Sequence, residues 1–324
     1  MCHVGDSMEL NRYTIAGHGL TATFMEWGAT LLDLRLDGHD APLVLGLENP
    51  EDYVAGLANY MGATVGRVAN RIGNARFSLD GETCRTDPNF RGRHTLHGGS
   101  RGIGNRIWEM VERRDDAIRF AIDLADGEMG FSGAIRIEAT FACAADATLS
   151  VRYRATTEAP TPCNIAHHTY WNLDGRPTLA DHVLTVAADR YVPVDDDLIP
   201  TGVASVDDTA FDFRQGRGLP GEGLLDHNLC LCDGKVAPRD VAWLRAGDLT
   251  MTIATDQPGL QVYDGALLDV AVPGIGGRSY GPHAGVALEA QGWPDAVNHD
   301  DFPDSILRPG KTYEQMTTFS FAKG

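Results

Sequence analysis

The chain has 324 residues, of which 43% are hydrophobic and 22% are charged, and these values exclude a disordered or fibrous protein. A length of this order can bury a sizeable core, and we expect residues 1–324 to form a single domain. The 27 Lys and Arg residues against 45 Asp and Glu residues give a formal net charge of −18, which argues against nucleic acid and anionic membranes as partners.

Alternation of apolar and polar residues with a period of two dominates the chain and predicts half-buried strands. The clearest examples, in chain order, are the segments 32–36, 118–124, 135–141, 149–153 and 249–253. Such alternation is typical of antiparallel sheets that bury one face.

One short helix is predicted early in the chain. Asn49 is a suitable cap residue, Pro50 fits the first turn, and Glu51 and Asp52 place acids at the positive end of a helix that leads into residues 53–60. No further segment supports alternating strand–helix–strand units.

Tight turns are indicated by Asp-Gly pairs, because Asp-Gly readily adopts the positive φ angles of hairpin turns. These pairs occur at 37–38, 80–81, 126–127, 174–175, 233–234 and 264–265. Segments 216–223 and 273–285 are predicted to be long loops. Together the elements predict an all-β fold, a large antiparallel β-sandwich with few short helices.

The cysteines and the N-terminus indicate a reducing compartment. No segment reaches the ~18 apolar residues of a membrane span, and residues 1–8 lack the features of a signal peptide, so we expect a cytoplasmic protein without membrane contact. None of the six cysteines forms a CxxC pair, and no zinc-type ligand set is present, so we expect reduced, mostly buried thiols and no metal. The six are Cys2, Cys84, Cys143, Cys163, Cys230 and Cys232.

Two sequence patterns match known motifs but lack the required context. The GxGxxG match at 216–221 is not preceded by an apolar strand, and Pro220 and Gly223 disfavour a following helix, so a dinucleotide site is not expected. The GxSxG match at 98–102 would make Ser100 a nucleophile, but Gly102 and Gly104 disfavour the helix that such an elbow needs.

Polar residues recur near aromatic residues in four otherwise apolar segments, 70–71, 94–99, 164–172 and 288–293. A polar side chain directed into a protein interior must be paired or functional, because an unpaired one costs on the order of 1 to 3 kcal/mol. Each residue alone is more readily explained as a satisfied core or surface group, so the clustering is the informative observation.

Six motifs within and beyond these segments follow one another in the order found in a known protein family. They are 66–77 (GRVANRIGNARF), 96–99 (LHGG), 168–173 (HTYWNL), 226–228 (DHN), 257–261 (QPGLQ) and 288–298 (LEAQGWPDAVN). With the C-terminal Phe302-Pro, Leu307-Arg-Pro-Gly310 and Tyr313, the chain resembles the aldose 1-epimerase (galactose mutarotase) family from about Gly19 to Phe321.

The resemblance implies a galactose-mutarotase-type β-sandwich with an open sugar cleft. It assigns the general acid to His168 and the general base to Glu289. It assigns contacts with sugar hydroxyls to Asn70, Arg71, His97, Asp226 and Gln261. One departure is His167, which stands where many relatives have Asn and leaves two adjacent histidines.

The activity implied by the resemblance is the interconversion of α and β anomers of a free aldose, such as galactose or glucose. A carboxylate would remove the proton of the anomeric hydroxyl while an acid protonates the ring oxygen. No electrons leave the sugar, so no cofactor is expected. From reference pKa values we expect Glu289 to be ionised and His168 to be partly protonated at neutral pH.

Two other functions are compatible with parts of the sequence. A noncatalytic sugar-binding protein on the same scaffold would keep the hydroxyl contacts but need not keep His168 and Glu289. A serine hydrolase would use Ser100. The preferred aldose, the acceptance of a phosphorylated sugar and the oligomeric state are not determined by the sequence.

Overall fold

A computed structural model describes residues 10–58, 60–221 and 223–324. Cys2 and the N-terminal residues on which the compartment prediction depends lie outside these ranges. Within the described residues no helix is long and apolar enough to cross a membrane.

The largest element is a nine-stranded antiparallel sheet. Several of its long strands alternate between buried and more exposed residues, as in Ile135–Ala144, because one face covers the core and the other meets solvent. In spatial order the strands are Arg217–Gly218, His182–Val186, Arg239–Ala246, Leu249–Thr255, Tyr313–Lys323, Thr148–Thr157, Ile135–Ala144, Ala117–Leu124 and Glu109–Arg113.

A six-stranded antiparallel sheet forms the second layer. Its two central long strands are buried along almost their whole length, which shows that both of their faces are covered. In spatial order the strands are Tyr170–Trp171, Val286–Gln291, Gly259–Tyr263, Asp226–Cys230, Arg190–Val192 and Ala204–Ser205.

Smaller elements complete the described part of the chain. A three-stranded sheet contains Arg12–Gly17, Leu20–Met25 and Thr30–Leu36. The two-stranded pairs are Thr64–Val65 with Ala166–His167, Arg71–Ile72 with Thr95–Leu96, Arg76–Leu79 with Glu82–Arg85, and Thr161–Pro162 with Ile306–Leu307. The α-helix is Pro50–Val54, and short 3-10 turns are Gly73–Ala75, Ile103–Asn105, Glu128–Gly130, Ile275–Gly277 and Ala296–Asn298.

The core lies between the two large sheets. The ring of Trp171 from the six-stranded sheet packs on Phe319 from the nine-stranded sheet, with ring centroids 4.6 Å apart. Phe24 of the three-stranded sheet packs on Phe141 at the same separation, so the small sheet extends this core. The predicted all-β sandwich with few short helices is confirmed.

The local predictions differ from the structure at several points, one of which is the short strand Arg217–Gly218 within the segment 216–223 that is predicted to be a loop. The helix ends at Val54, well before residue 60, and Gly56 adopts a positive φ of 77° soon after its end. Of the Asp-Gly pairs, 80–81 forms the two-residue hairpin turn that the pattern predicts. By contrast, 233–234 connects strands of different sheets, because a turn dipeptide determines local φ angles and not which strands pair.

Candidate active site

A cleft of about 320 Å³ lies on the face of the six-stranded sheet that is turned away from the nine-stranded sheet. Leu288 and Ala290 belong to the core between the sheets. Because successive residues of a strand point to opposite faces, Glu289 between them points into the cleft. The volume suits a small ligand.

His168 and Glu289 meet at the floor of the cleft. Nε2 of His168 lies 3.6 Å from Oε1 of Glu289, and both side chains are almost fully buried. The backbone of His168 is fixed by two hydrogen bonds: its N–H donates to the carbonyl of Ala63 at 2.8 Å, and its carbonyl accepts from the N–H of Gly62 at 2.9 Å. The other carboxylate oxygen of Glu289, Oε2, is buried without a hydrogen-bond partner among the described residues.

Polar side chains on neighbouring strands continue this floor. Gln261 pairs with Glu289 in the strand register, and its Nε2 donates to Oδ1 of Asp226 at 2.5 Å. Oδ2 of Asp226 lies 3.3 Å from Nη2 of Arg71, and both of these side chains are largely buried. Asp226, Gln261 and Arg71 are therefore held in one hydrogen-bonded group beside the pair.

Asn70 and His97 join two segments at the wall of the cleft. The N–H of Asn70 donates to Nδ1 of His97 at 3.1 Å, and the N–H of His97 donates to the carbonyl of Asn70 at 3.0 Å. Both residues adopt left-handed backbone conformations, with φ of 59° and 50°. Gly98 follows at φ 83°, and a Cβ there would lie 2.2 Å from the carbonyl oxygen of Gly66, so the close approach requires glycine.

The adjacent histidine points away from the cleft. His167 lies in the strand Ala166–His167, where its Nδ1 is 3.0 Å from Oγ1 of Thr169 and its ring packs near Phe141 of the nine-stranded sheet, with centroids 5.4 Å apart. The structure therefore separates the two histidines onto opposite sides of one segment, with His168 in the cleft.

Burial reverses the ionisation states expected from reference pKa values. Burial, together with the nearby charge of Asp226, raises the pKa of Glu289 to about 8. Burial lowers the pKa of His168 to about 4. At neutral pH these shifts favour a protonated Glu289 beside a neutral His168, in contrast to the ionised Glu289 and partly protonated His168 expected from reference pKa values. The pair still carries one proton.

His97 is also neutral at the wall of the cleft. Burial, then the neighbouring His168 and Arg71, lower the pKa of His97 well below its usual range. Because its Nδ1 accepts a hydrogen bond from Asn70, the proton of the neutral ring is on Nε2. His97 is thus a hydrogen-bond donor at this wall.

All seven residues assigned from the sequence lie together here, but the cleft also has walls that sequence reasoning missed. Tyr170 and Tyr263 lie two residues after His168 and Gln261, so the period of a strand could have indicated them. The loop residues carry no such signal. The missed lining residues are Tyr60, Phe90, Arg91, Leu96, Tyr170, Leu198, Tyr263, Leu267 and Leu268.

A second, larger cavity of about 440 Å³ contains none of the seven residues. Two of its polar lining residues are paired with Asp256 behind it: Nε2 of Gln257 donates to Oδ1 of Asp256 at 2.7 Å, and Nζ of Lys235 lies 3.1 Å from Oδ2. The amide of Asn164 bonds the backbone of Gly292 in both directions. It therefore offers no unpaired buried group to a ligand, in contrast to the cleft.

The GxSxG match at 98–102 and the GxGxxG match at 216–221 do not have the geometry of a functional site in the described part of the chain. Ser100 is exposed, and its Oγ lies 3.8 Å from Sδ of Met129 with no histidine bonded to it. Residues 217–218 form an edge strand of the nine-stranded sheet, and the next element among the described residues is the strand Asp226–Cys230. Among residues 10–58, 60–221 and 223–324, no group of three His, Cys, Asp or Glu residues could hold a metal ion.

The described cysteines form no disulfide. Cys143, Cys163 and Cys230 are buried, and Cys84 and Cys232 are partly exposed. These positions agree with the expected free thiols, of which most are buried.

Known proteins match the chain along nearly all of its length. The family model for aldose 1-epimerase matches residues 11–320. An aldose 1-epimerase of Escherichia coli is 38% identical, with 94% of this chain and 92% of that protein covered. A galactose mutarotase of Rattus norvegicus is 37% identical, with 97% and 94% covered. The crystal structure of a GalM/aldose epimerase homologue from C. elegans is 35% identical and superposes with a TM-score of 0.90, covering 97% of this chain and 99% of that one.

The raised pKa of Glu289 predicts a stability effect that is independent of activity. A glutamate with a pKa of 4.5 when unfolded and about 8 when folded binds more protons in the folded state, so its contribution to stability falls as the pH rises through this window. The substitution Glu289→Gln removes this loss of stability with rising pH, because glutamine does not titrate. Relative to wild type, the variant should gain up to about 1.4 kcal/mol of unfolding free energy per pH unit between these values. Urea denaturation of both proteins across this range measures the difference, and parallel stability curves would contradict the assigned pKa.

Proposed function

Because the chain belongs to the aldose 1-epimerase family, we propose that it interconverts the α and β anomers of a free aldose by acid–base ring opening and reclosure. The family membership makes the chain a mutarotase, an enzyme of the isomerase class. Galactose and glucose are the proposed substrates, since the relatives include proteins named galactose mutarotase.

One observation carries the acid–base proposal. His168 and Glu289 face each other across 3.6 Å in a buried position, slightly too far apart for a good mutual hydrogen bond. The unpartnered Oε2 of Glu289 and Oε1 of Gln261 lie buried beside them. Because unpaired buried polar atoms are costly, hydroxyl groups of a bound sugar would satisfy them.

The reaction needs one proton removed and one delivered. In the proposed opening step, Glu289 takes the proton of the anomeric hydroxyl, a carbonyl forms at C1, and the bond from C1 to the ring oxygen breaks. His168 delivers a proton to the departing ring oxygen. Rotation about the C1–C2 bond presents the other face of the carbonyl, and the same two transfers in reverse close the ring as the other anomer.

The single proton of the buried pair suits this reversible cycle. Protonated Glu289 with neutral His168, the sugar-free state, is the proton distribution that the opening step produces. The ion pair that begins opening holds the same number of protons. Sugar hydroxyls that donate to the carboxylate would favour its ionised form, and the charge of Asp226 favours the imidazolium.

The remaining polar residues are proposed to orient the sugar. His97 donates from Nε2, and the guanidinium of Arg71, held by Asp226, has a buried Nε without a partner among the described residues. Asn70 fixes His97, and Gln261 fixes Asp226. A neutral aldose suits this set. The positive charge of Arg71 is already paired with the carboxylate of Asp226, and Glu289 contributes no positive charge that could bind an anionic sugar.

The competing functions have less support. A sugar-binding protein requires only hydroxyl contacts and gives no reason for a buried acid–base pair at the floor of the cleft. A hydrolase based on Ser100 lacks an adjacent base.

The activity itself is tested by polarimetry. The protein should accelerate the change in optical rotation of freshly dissolved α-galactose or α-glucose, and excess chelator should leave the rate unchanged because the proposed steps require no metal. Ser100→Ala serves as a control that should keep full activity. A panel with xylose, arabinose and a sugar phosphate would establish the preference, and absence of any acceleration would exclude the proposed function.

The adjacent histidines provide the sharpest test of the site. Replacing His168 with Asn should lower turnover by roughly 10²-fold or more, the range for loss of a general acid or base, and Glu289→Gln should do the same. His167→Asn, which changes a side chain on the other side of the segment, should have a mild effect. Polarimetry with folding checked by circular dichroism compares the variants, and a large loss at His167 with a small one at His168 would reverse the assignment.

The one-proton pair predicts a bell-shaped pH dependence of kcat/KM. Activity should fall below about pH 4, where His168 becomes protonated while Glu289 is still protonated, and no base is left. It should also fall above about pH 8, where Glu289 loses its proton and no acid is left. Initial rates corrected for uncatalysed mutarotation measure the profile, and constant activity through pH 9 would rule out the raised pKa.

A further inference from the structure

Two loops that are distant in sequence meet at the mouth of the cleft. One contributes Phe90 and Arg91 to its lining, and the other contributes Leu198. Arg91 and Leu198 both have left-handed backbone conformations, with φ of 51° and 63°. Such conformations are uncommon for residues other than glycine and persist where surrounding contacts hold them.

The contacts that hold the loops converge on one carboxylate. Oδ1 of Asp197 lies 2.6 Å from Nη1 of Arg91, and Oδ2 lies 3.0 Å from Nη1 of Arg93 and 3.3 Å from Nε2 of His94. Nη1 of Arg91 also donates to the backbone carbonyl of Asp196 at 2.7 Å. We refer to Asp197 with Arg91, Arg93 and His94 as the Asp197 cluster.

His94 attaches the cluster to the framework of the cleft. Its ring is buried, and Nδ1 accepts the N–H of Asn74 at 3.0 Å, so a neutral ring carries its proton on Nε2 and donates it to Asp197. His94 directly precedes the strand Thr95–Leu96, which pairs with Arg71–Ile72. The loop that carries Leu198 is therefore connected to the same pair of strands that carries Arg71.

Arg91 has hydrogen-bonding capacity that the cluster does not use. Its two hydrogen bonds both involve Nη1, and its Nε and Nη2 have no hydrogen-bond partner among the described residues. Its guanidinium lies 5.3 Å from the ring centroid of Phe90, and that of Arg71 lies 4.6 Å from the same ring. Phe90 thus links the wall built by Arg91 to the Arg71 side of the cleft.

We propose that Asp197 is a positioning residue for the sugar and that Arg91, held by it, is a specificity-determining residue at the mouth of the cleft. Asp197 acts by fixing the positions of Arg91 and Leu198, and it takes no part in proton transfer. This inference rests on the proposed mutarotase function. Its effect is on sugar binding, because Arg91 and Leu198 lie at the mouth of the cleft whereas the proton-transferring pair lies at its floor.

The first test separates binding from chemistry. Asp197→Asn keeps the shape of the side chain but loses the charge, and it should raise KM roughly three- to ten-fold while kcat stays within about two-fold. Asp207→Asn is the matched control, because Asp207 is also a loop carboxylate bound to an arginine, with Oδ1 2.5 Å from Nη2 of Arg214, but that arginine does not line the cleft. It should leave both constants unchanged.

The second test asks whether Asp197 acts through Arg91. Arg91→Ala should also raise KM, and adding Asp197→Asn to it should cause little further increase, because the effects of residues acting as one unit are not additive.

A salt series provides an independent measurement. For a neutral sugar, KM of the wild type should rise by about two-fold between low and high salt, because salt screens the exposed contacts of Asp197, whereas KM of Asp197→Asn should stay constant. Circular dichroism confirms that each variant is folded.

The outcomes distinguish this inference from the proposed function. An active wild type whose KM is unaffected by Asp197→Asn, or a variant that loses kcat at constant KM, would overturn the positioning role alone. Full additivity of Arg91→Ala and Asp197→Asn would overturn the action through Arg91. A wild type that does not accelerate mutarotation of any sugar in the panel would overturn both proposals.

Discussion

The burial of Glu289 beside His168 is the constraint on which the rest of the site depends. A carboxylate taken out of water holds its proton to a higher pH, and a buried imidazole gives up its proton at a lower pH, so the two groups together carry one proton over a wide pH range. Reversible opening and closing of a sugar ring needs one group of each kind at all times. Burial therefore sets the protonation of the pair and leaves Oε2 of Glu289 and Oε1 of Gln261 without partners among the described residues, the atoms that the proposed function gives to sugar hydroxyls.

The sandwich supplies the rigid support that such a pair needs. The central strands of the six-stranded sheet are covered on both faces, by the core on one side and by the loops around the cleft on the other. Alternate residues of one strand therefore pack in the core or face the cleft. Leu288 packs in the core while Glu289 faces the cleft. The same alternation sends His167 toward Phe141 and His168 toward Glu289. The loops, in turn, connect to this framework through polar contacts such as those of Asp197.

Much of the fold and of the site could be predicted from the sequence. Period-two alternation in segments such as 135–141 identified the strands, because one face of each is buried and the other is wet. The ordered motifs identified the seven polar residues that the structure brings together, because the resemblance to the family assigns a role to each matching position. The boundary of the helix after Asn49 and the connections made by Asp-Gly pairs were less predictable, because they depend on packing beyond the local chain.

The sequence by itself therefore determined the strand content, the family and the residues capable of acid–base chemistry, since these depend on residue type and order. Only the tertiary structure decided that burial raises the pKa of Glu289 and lowers that of His168, and that Arg91 and Leu198 join the lining of the cleft. Each of these depends on distances between residues far apart in the chain and on the exclusion of water around them. A pKa and a hydrogen-bond network are properties of an environment, and that environment exists only once the sheets and loops have packed.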